Sequence, residues 1–282
     1  MNQSMNKAIN VINNTILLVF LLVAAFFVLY PLVYVVSGAV SPGNSISDMA
    51  IVPFSRGITF EHFKHLFTET NYGLWFRNTL LIAVATSFFT VLTASLGAYV
   101  FSRFYFAFKK SMMMSLLILQ IFPSFVGMIA IYVILYRIGG LDRLWGLVLV
   151  YLAGNVPYNT WLVKSYIDTV PVSLDEAARI DGASNLRIFF TIILPVIKPI
   201  LIFLAISSFT SPWMDFIFPK MVLRSSENQT LALGLFSFVT DRKNEFTNFA
   251  AGAVIVSIPF VIFFMTTQKM LVTALGTAAV KE

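Results

Sequence analysis

Long apolar runs separated by short polar ones dominate this chain. A helix needs about 20 mostly apolar residues to cross a bilayer. Six stretches approach or exceed that length: 16–36, 78–101, 111–136, 144–163, 199–218 and 250–267. The pattern predicts an all-α, polytopic membrane protein with six transmembrane helices, folded as one domain over residues 1–282. The first stretch is uncharged and too long for the apolar core of a signal peptide. It reads as a retained anchor, even with Ser37-Gly38-Ala39 resembling a cleavage site behind it.

Composition agrees with this reading. The chain is 58% hydrophobic and 11% charged, against about 25% charged residues in soluble domains. Lipid is therefore its surrounding partner. The net charge of +6 is spread over loops and forms no basic stripe, which argues against nucleic acid. The absence of cysteine excludes disulfides, thiol catalysis and thiolate metal sites. His62 and His65, beside Glu61, offer too few ligands for a metal. They read as part of a solvated loop helix, leaving no metal site and no catalytic group.

An even number of spans puts both termini on one side. Of the 19 Lys and Arg residues, ten fall on the side of the termini and nine on the other, so the count alone hardly decides. Arg103, Lys109 and Lys110 crowd one short loop, and short basic loops stay inside. The expected orientation has both termini in the cytoplasm.

Polar residues at membrane depth are costly and need a bundle interior or a wet cavity. Gln120 lies in the third span near Pro123. Asn155, Tyr158 and Asn159 flank Pro157 in the fourth. Ser207, Ser208, Thr210 and Ser211 lead to Pro212 and Asp215 in the fifth. Gln120, Asn155, Asn159, Ser208 and Asp215 are the candidates for a polar translocation path, with interhelical hydrogen bonding as the equal alternative. Thr86, Thr90, Thr93 and Gly97 in the second span read as a close-packing seam.

The segment from Asp175 to Ser184, DEAARIDGAS, is a compact charged stretch between apolar runs. Ser173 and Glu176 have the spacing of a capping box, and Asp175 and Glu176 suit the positive end of a helix dipole. The helix runs through Ala177, Ala178, Arg179 and Asp181. Gly182 is placed to end it in a left-handed conformation. Ser184 or Asn185 can cap a second helix over 186–193, and Pro195 disfavours helix at Leu194. The product is a short helix pair between the fourth and fifth spans. A connector lying flat on the membrane is the bland alternative.

Glu176-Ala177-Ala178, three residues, Gly182, nine residues, then Ile192-Ile193-Leu194-Pro195 resembles the EAA loop of ABC-importer permeases. Asn78-Thr79-Leu80, Ala98-Tyr99-Val100-Phe101-Ser102-Arg103, Trp161-Leu162 ahead of Ile167-Asp168-Thr169-Val170-Pro171, and Pro212-Trp213-Met214-Asp215-Phe216 are similar to segments of the carbohydrate-uptake branch. Met214 stands where that branch usually has Asn. The tail from Leu275 to Glu282 resembles the ending of the smaller maltose-type subunit, with alanines replacing family glycines.

The resemblance implies a heteromeric, ATP-driven importer of an oligosaccharide, maltodextrin first, with another sugar or a sugar alcohol as the alternative, in a prokaryotic inner or plasma membrane. Residues 173–195 would dock on an ATPase through Ser173, Glu176, Ala177, Ala178, Arg179, Asp181, Gly182, Ile192, Leu194 and Pro195. It also implies a second permease subunit, two ATPase subunits and an extracytoplasmic sugar-binding protein, which the polar loop 219–248 would meet. The chain has no G-x-x-x-x-G-K-[ST] run. ATP and Mg therefore belong to the partner, and no cofactor is expected on this chain. An intramembrane enzyme would need convergent Asp, His or Ser groups at one depth. Asp215 has no histidine in any span. A channel or scaffold gives a capped helix pair no purpose.

Overall fold

The computed structural model describes residues 3–121, 124–240 and 244–279. Among the described residues every regular element is helical. In chain order these are α1 (Gln3–Val40), α2 (Glu61–Thr68), α3 (Tyr72–Arg103), α4 (Lys109–Ile121), α5 (Ser124–Arg137), α6 (Leu144–Ile167), α7 (Ser173–Ile180) and α8 (Asn185–Ile188). Then follow α9 (Leu194–Val196), α10 (Lys198–Met214), α11 (Ile217–Val222), α12 (Leu231–Thr240) and α13 (Phe246–Ala279), with a few short 3-10 turns between. Three helices are long and apolar enough to cross a membrane: Ile12–Val40, Tyr72–Arg103 and Phe246–Thr266. Two bent pairs raise that number to five if each is one span. At 24 residues α6 is long enough, but Asn155 and Asn159 dilute its apolar character and it is not among them.

One expected span is redrawn. The stretch 111–136 falls on α4 and α5, and Pro123 lies outside the described residues. The stretch 199–218 ends early, because α10 stops at Met214 and Asp215 is extended (φ −84°, ψ 124°). A new helix, α11, begins two residues later.

Contacts divide the chain into two units. The first holds the residues up to Thr70 together with Leu235–Ser257. Its α1 is a largely unpartnered apolar helix, with Phe20, Phe26 and Phe27 each more than 60% exposed, as lipid contact requires. His62 of α2 is buried, against the expectation of a solvated helix. Its Nδ1 lies 2.8 Å from Asn248 Oδ1 and its Nε2 lies 2.9 Å from the Ser41 carbonyl. The Asn248 amide donates to Glu245 Oε2 at 3.0 Å, which fixes the amide orientation. No group of three or more metal-ligating side chains occurs among the described residues.

The second unit holds Asn71–Gly234 and the residues from Ile258 on. Its centre is α3, packed against α6 and α10. Thr86, Thr90, Ala94 and Ala98, spaced four apart, are all fully buried on one face. Gly97 comes within 3.5 Å of Thr160 on α6 from its would-be Cβ. Thr93 is exposed and bonds back to the Phe89 carbonyl, so the seam follows the four-residue stripe and leaves Thr93 out. The aromatic rings of Phe76, Phe209, Trp213, Phe260 and Phe263 pack together, with centroids between 5.4 and 6.5 Å apart.

Candidate functional site

The helix pair lies between α6 and α10 in the chain. Helix α7 begins at Ser173, but no side chain caps it, and Val172 at the N-cap position is already helical (φ −64°, ψ −25°). The expected capping box is therefore not formed. A helical turn starting at Val172 carries Ser173 past the capping position, and the first carboxylate is used elsewhere. Asp175 is fully buried, and its Oδ2 accepts from Arg103 Nε at 2.5 Å. Arg103, the last residue of α3, is itself 5% exposed in its side chain. Its Nη2 donates to the Val170 carbonyl at 2.8 Å. Next to it, Ser102 Oγ and Lys164 Nζ both donate to Asp168, each at 2.6 Å. Burial pushes the Asp168 carboxyl up, but the hydrogen bonds from Lys164 and Ser102 outweigh it and hold the group below its ordinary range.

The turn closes as expected. Gly182 sits at φ +82°. Its N–H donates to the Arg179 carbonyl at 3.0 Å, and the Ala183 N–H donates to the Ala178 carbonyl at 2.9 Å. These are the two bonds of a Schellman ending. Ser184 then caps α8, accepting from the Arg187 N–H at 3.4 Å.

Beyond Ile188 the turn widens into a π turn over Phe189–Ile193, and α9 continues through Pro195. The expectation that helix stops before Leu194 is thus corrected. The wide turn sends the Leu194 N–H to the Phe189 carbonyl, five residues back, and this re-spacing accommodates the proline. The chain then bends by 83° into α10.

Surfaces divide cleanly. Ser173, Glu176, Ala177, Arg179, Asp181, Gly182 and Pro195 are exposed; Ala178, Ile192 and Leu194 are half-buried. Leu174, Ile180 and Leu186 are exposed apolar residues, Ile180 at 87%. Ile188, Phe189, Ile193 and Ile197 are fully buried in one core with Ala94, Ala98 and Tyr99 of α3, Val163 and Ile167 of α6, and Leu204 of α10. The Tyr99 and Phe189 rings are 5.3 Å apart. A connector lying on the membrane surface would not plug a bundle core in this way.

The path candidates differ in their surroundings. Gln120 is exposed. Asn159 and Ser208 are buried, and each bonds to its own helix, at the Asn155 carbonyl (2.8 Å) and the Leu204 carbonyl (2.6 Å). Asp215 is half-buried. It accepts from the Tyr151 hydroxyl at 2.9 Å and from the Ile217 and Phe218 amides at 2.9 and 3.3 Å. It thus joins α6 to the start of α11. Tyr151, Asn155 and Asn159 follow one stripe of α6, four residues apart.

Arg103, Asp175 and Tyr151 are the polar anchors that sequence reasoning missed. The spacing of Tyr151 to Asn155 and Asn159 was the available signal for the last. At the opposite end of α3, Asn78 Nδ2 donates to the Glu227 and Gln229 carbonyls, and Thr79 Oγ1 accepts from the Leu231 N–H.

The fold is that of a helical, polytopic membrane protein with a short helix pair set into its bundle. Residues 90–276 match the family described as binding-protein-dependent transport system inner membrane component. The chain belongs to this family: it is a membrane permease and not an enzyme. It is 41% identical over 263 residues to the maltodextrin transport system permease protein MdxG of Bacillus subtilis (strain 168), covering 93% of this chain and 94% of that protein. It is 39% identical to the galactooligosaccharides transport system permease protein GanQ of the same organism, covering 91% and 92%. A subunit in the crystal structure of a bacterial ABC transporter importing the acidic polysaccharide alginate shares the fold, with TM-score 0.76 and 23% identity over 95% of this chain and 98% of that one.

Proposed function

We propose that this permease is one of two membrane-spanning subunits of an ATP-driven importer for an oligosaccharide, with maltodextrin as first substrate. The observation that carries this reading is the 41% identity to a maltodextrin permease over nearly the whole of both chains. The structure supports a docking role for the helix pair: α7 presents Glu176, Ala177 and Arg179 outward, beside exposed Leu174, Ile180 and Leu186. Two ATPase subunits, which hold the ATP and Mg, dock on this surface, which faces the cytoplasm together with both termini. α4 with α5, α6 and α10 complete six spans with α1, α3 and α13, in one permease domain. An extracytoplasmic sugar-binding protein delivers the substrate. Gln120, Asn155, Asn159, Ser208 and Asp215 are the residues proposed to line the path, with Tyr151 holding Asp215.

The galactooligosaccharide relative, at 39% identity, favours a second substrate class over any non-sugar cargo. The test is to reconstitute the chain with the products of its neighbouring reading frames in liposomes containing ATP. Uptake of labelled maltodextrin that depends on a binding protein is expected. Uptake of galactooligosaccharide alone moves the substrate assignment. Failure to retain an ATPase subunit removes the importer reading.

A further inference from the structure

Asp175 is the one fully buried residue of α7. The helix whose outer face would meet the ATPase is therefore held inward mainly by a carboxylate, with half-buried Ala178 beside it. That carboxylate pairs with Arg103, 72 residues earlier in the chain. Neither flanking helix, α6 or α10, supplies its partner. Its second oxygen, Oδ1, is buried without a hydrogen-bond partner among the described residues. Arg103 is the ion-pair partner of Asp175 among the described residues. Buried ion pairs are poor sources of stability compared with apolar packing, and their best-attested use is to fix one arrangement over others. Here the fixed arrangement is α7 on the end of α3. Arg103 also holds the Val170 carbonyl, so the chain entering α7 is gripped at two points.

We propose that the Arg103–Asp175 pair is a positioning link that delivers movement of α7 to α3, so that the second span is driven directly and not only through the spans flanking the loop. The proposal rests on the importer reading above. α3 packs on both α6 and α10 and shares a core with α8 and the π turn, so one link at its end moves the centre of the bundle.

The chain contains no cysteine, which permits a reversible test. Arg103→Cys and Asp175→Cys are combined in the assembled importer and joined by a short, reducible thiol cross-linker. The unmodified importer receives the same reagent as a control. Sugar imported per ATP hydrolysed is measured before joining, after joining and after reduction. Before joining, this ratio is expected to fall roughly tenfold, within the 5–150-fold range of typical coupling between sites. It should recover on joining and fall again on reduction, while the ATPase subunit stays bound throughout. Arg103→Lys, which keeps the charge, should retain more coupling than Arg103→Gln. A wild-type ratio in the open double variant, no recovery on joining, or loss of the ATPase subunit before joining each overturns the link. Loss of the ATPase from the unaltered chain instead removes the importer reading.

Discussion

The Tyr151 hydroxyl donates to Asp215 Oδ2 across 2.9 Å, while Oδ1 of the same carboxylate receives the first amides of α11. One residue thus closes α6 against the break after α10 and starts the next helix. Asp215→Ala should lose both, and the cap alone contributes about 0.5–2 kcal/mol. Asp215→Asn keeps a capping oxygen and should be milder. Tyr151→Phe should lose only the interhelical bond. Thermal unfolding of the purified permease in detergent checks the order, with Asp215→Ala lowest. Equal midpoints for Asp215→Ala and wild type would show that the carboxylate organises nothing.

Gly182 and Gly146 separate two reasons for glycine. An added Cβ at Gly182 meets nothing within 4 Å, but the residue sits at φ +82°. Gly182→Ala should therefore cost only the left-handed strain, about 1–2 kcal/mol, with Gly182→Asn closer to wild type. An added Cβ at Gly146 falls 2.2 Å from the Gly140 carbonyl oxygen, which is backbone. Gly146→Ala should be much more damaging despite the milder appearance of the change. Folded yield and melting temperature of the two alanine variants distinguish these cases.

Asp142 holds the segment after α11. Its Oδ1 accepts from the Arg224 and Ser225 amides and from Ser225 Oγ at 2.9–3.1 Å. Burial pushes this carboxyl up, but these bonds prevail and leave it below its ordinary value of 3.8. A depressed folded value means that the unfolded chain binds the proton more readily. The stabilisation is therefore complete above about pH 4 to 5 and is lost as pH falls through the folded value. Asp142→Asn should be less stable than wild type at pH 7, and the gap should shrink toward pH 3. Unfolding midpoints across that range test the sign.

His62 bridges the Ser41 carbonyl and Asn248 with both ring nitrogens while only 5% exposed. His62→Ala should leave a buried hydrogen-bonding group unmet at this bridge, at about 1–3 kcal/mol. The bridge joins three segments of the first unit, so the effect should appear in the protease resistance of that unit. Unchanged cleavage rates in His62→Ala would mean that the bridge is idle.

Much of this was legible in the apolar pattern and the Gly182 spacing, because period and glycine chemistry are local. The misreadings share a cause. Ser173 and Glu176 have capping-box spacing, yet a tertiary partner, Arg103, determines what the start of α7 does. Pro195 predicts a helix stop, yet the π turn at Phe189–Ile193 absorbs it. His62 looks solvated beside Glu61 and Lys64, yet residues 21 and 186 positions away bury it. Each depends on a contact that no local window contains.

Helix α3 spans 32 residues without a proline, so at 1.5 Å per residue it is about 48 Å long, more than the roughly 40–45 Å of a bilayer with its headgroups. Asn78 and Thr79 are fastened to the 227–231 segment at one end, and Arg103 to Val170 and Asp175 at the other. A stiff rod fastened near both ends needs no relay of side chains through its middle. Tilting it about its midpoint swings the two fastenings in opposite directions at the same instant.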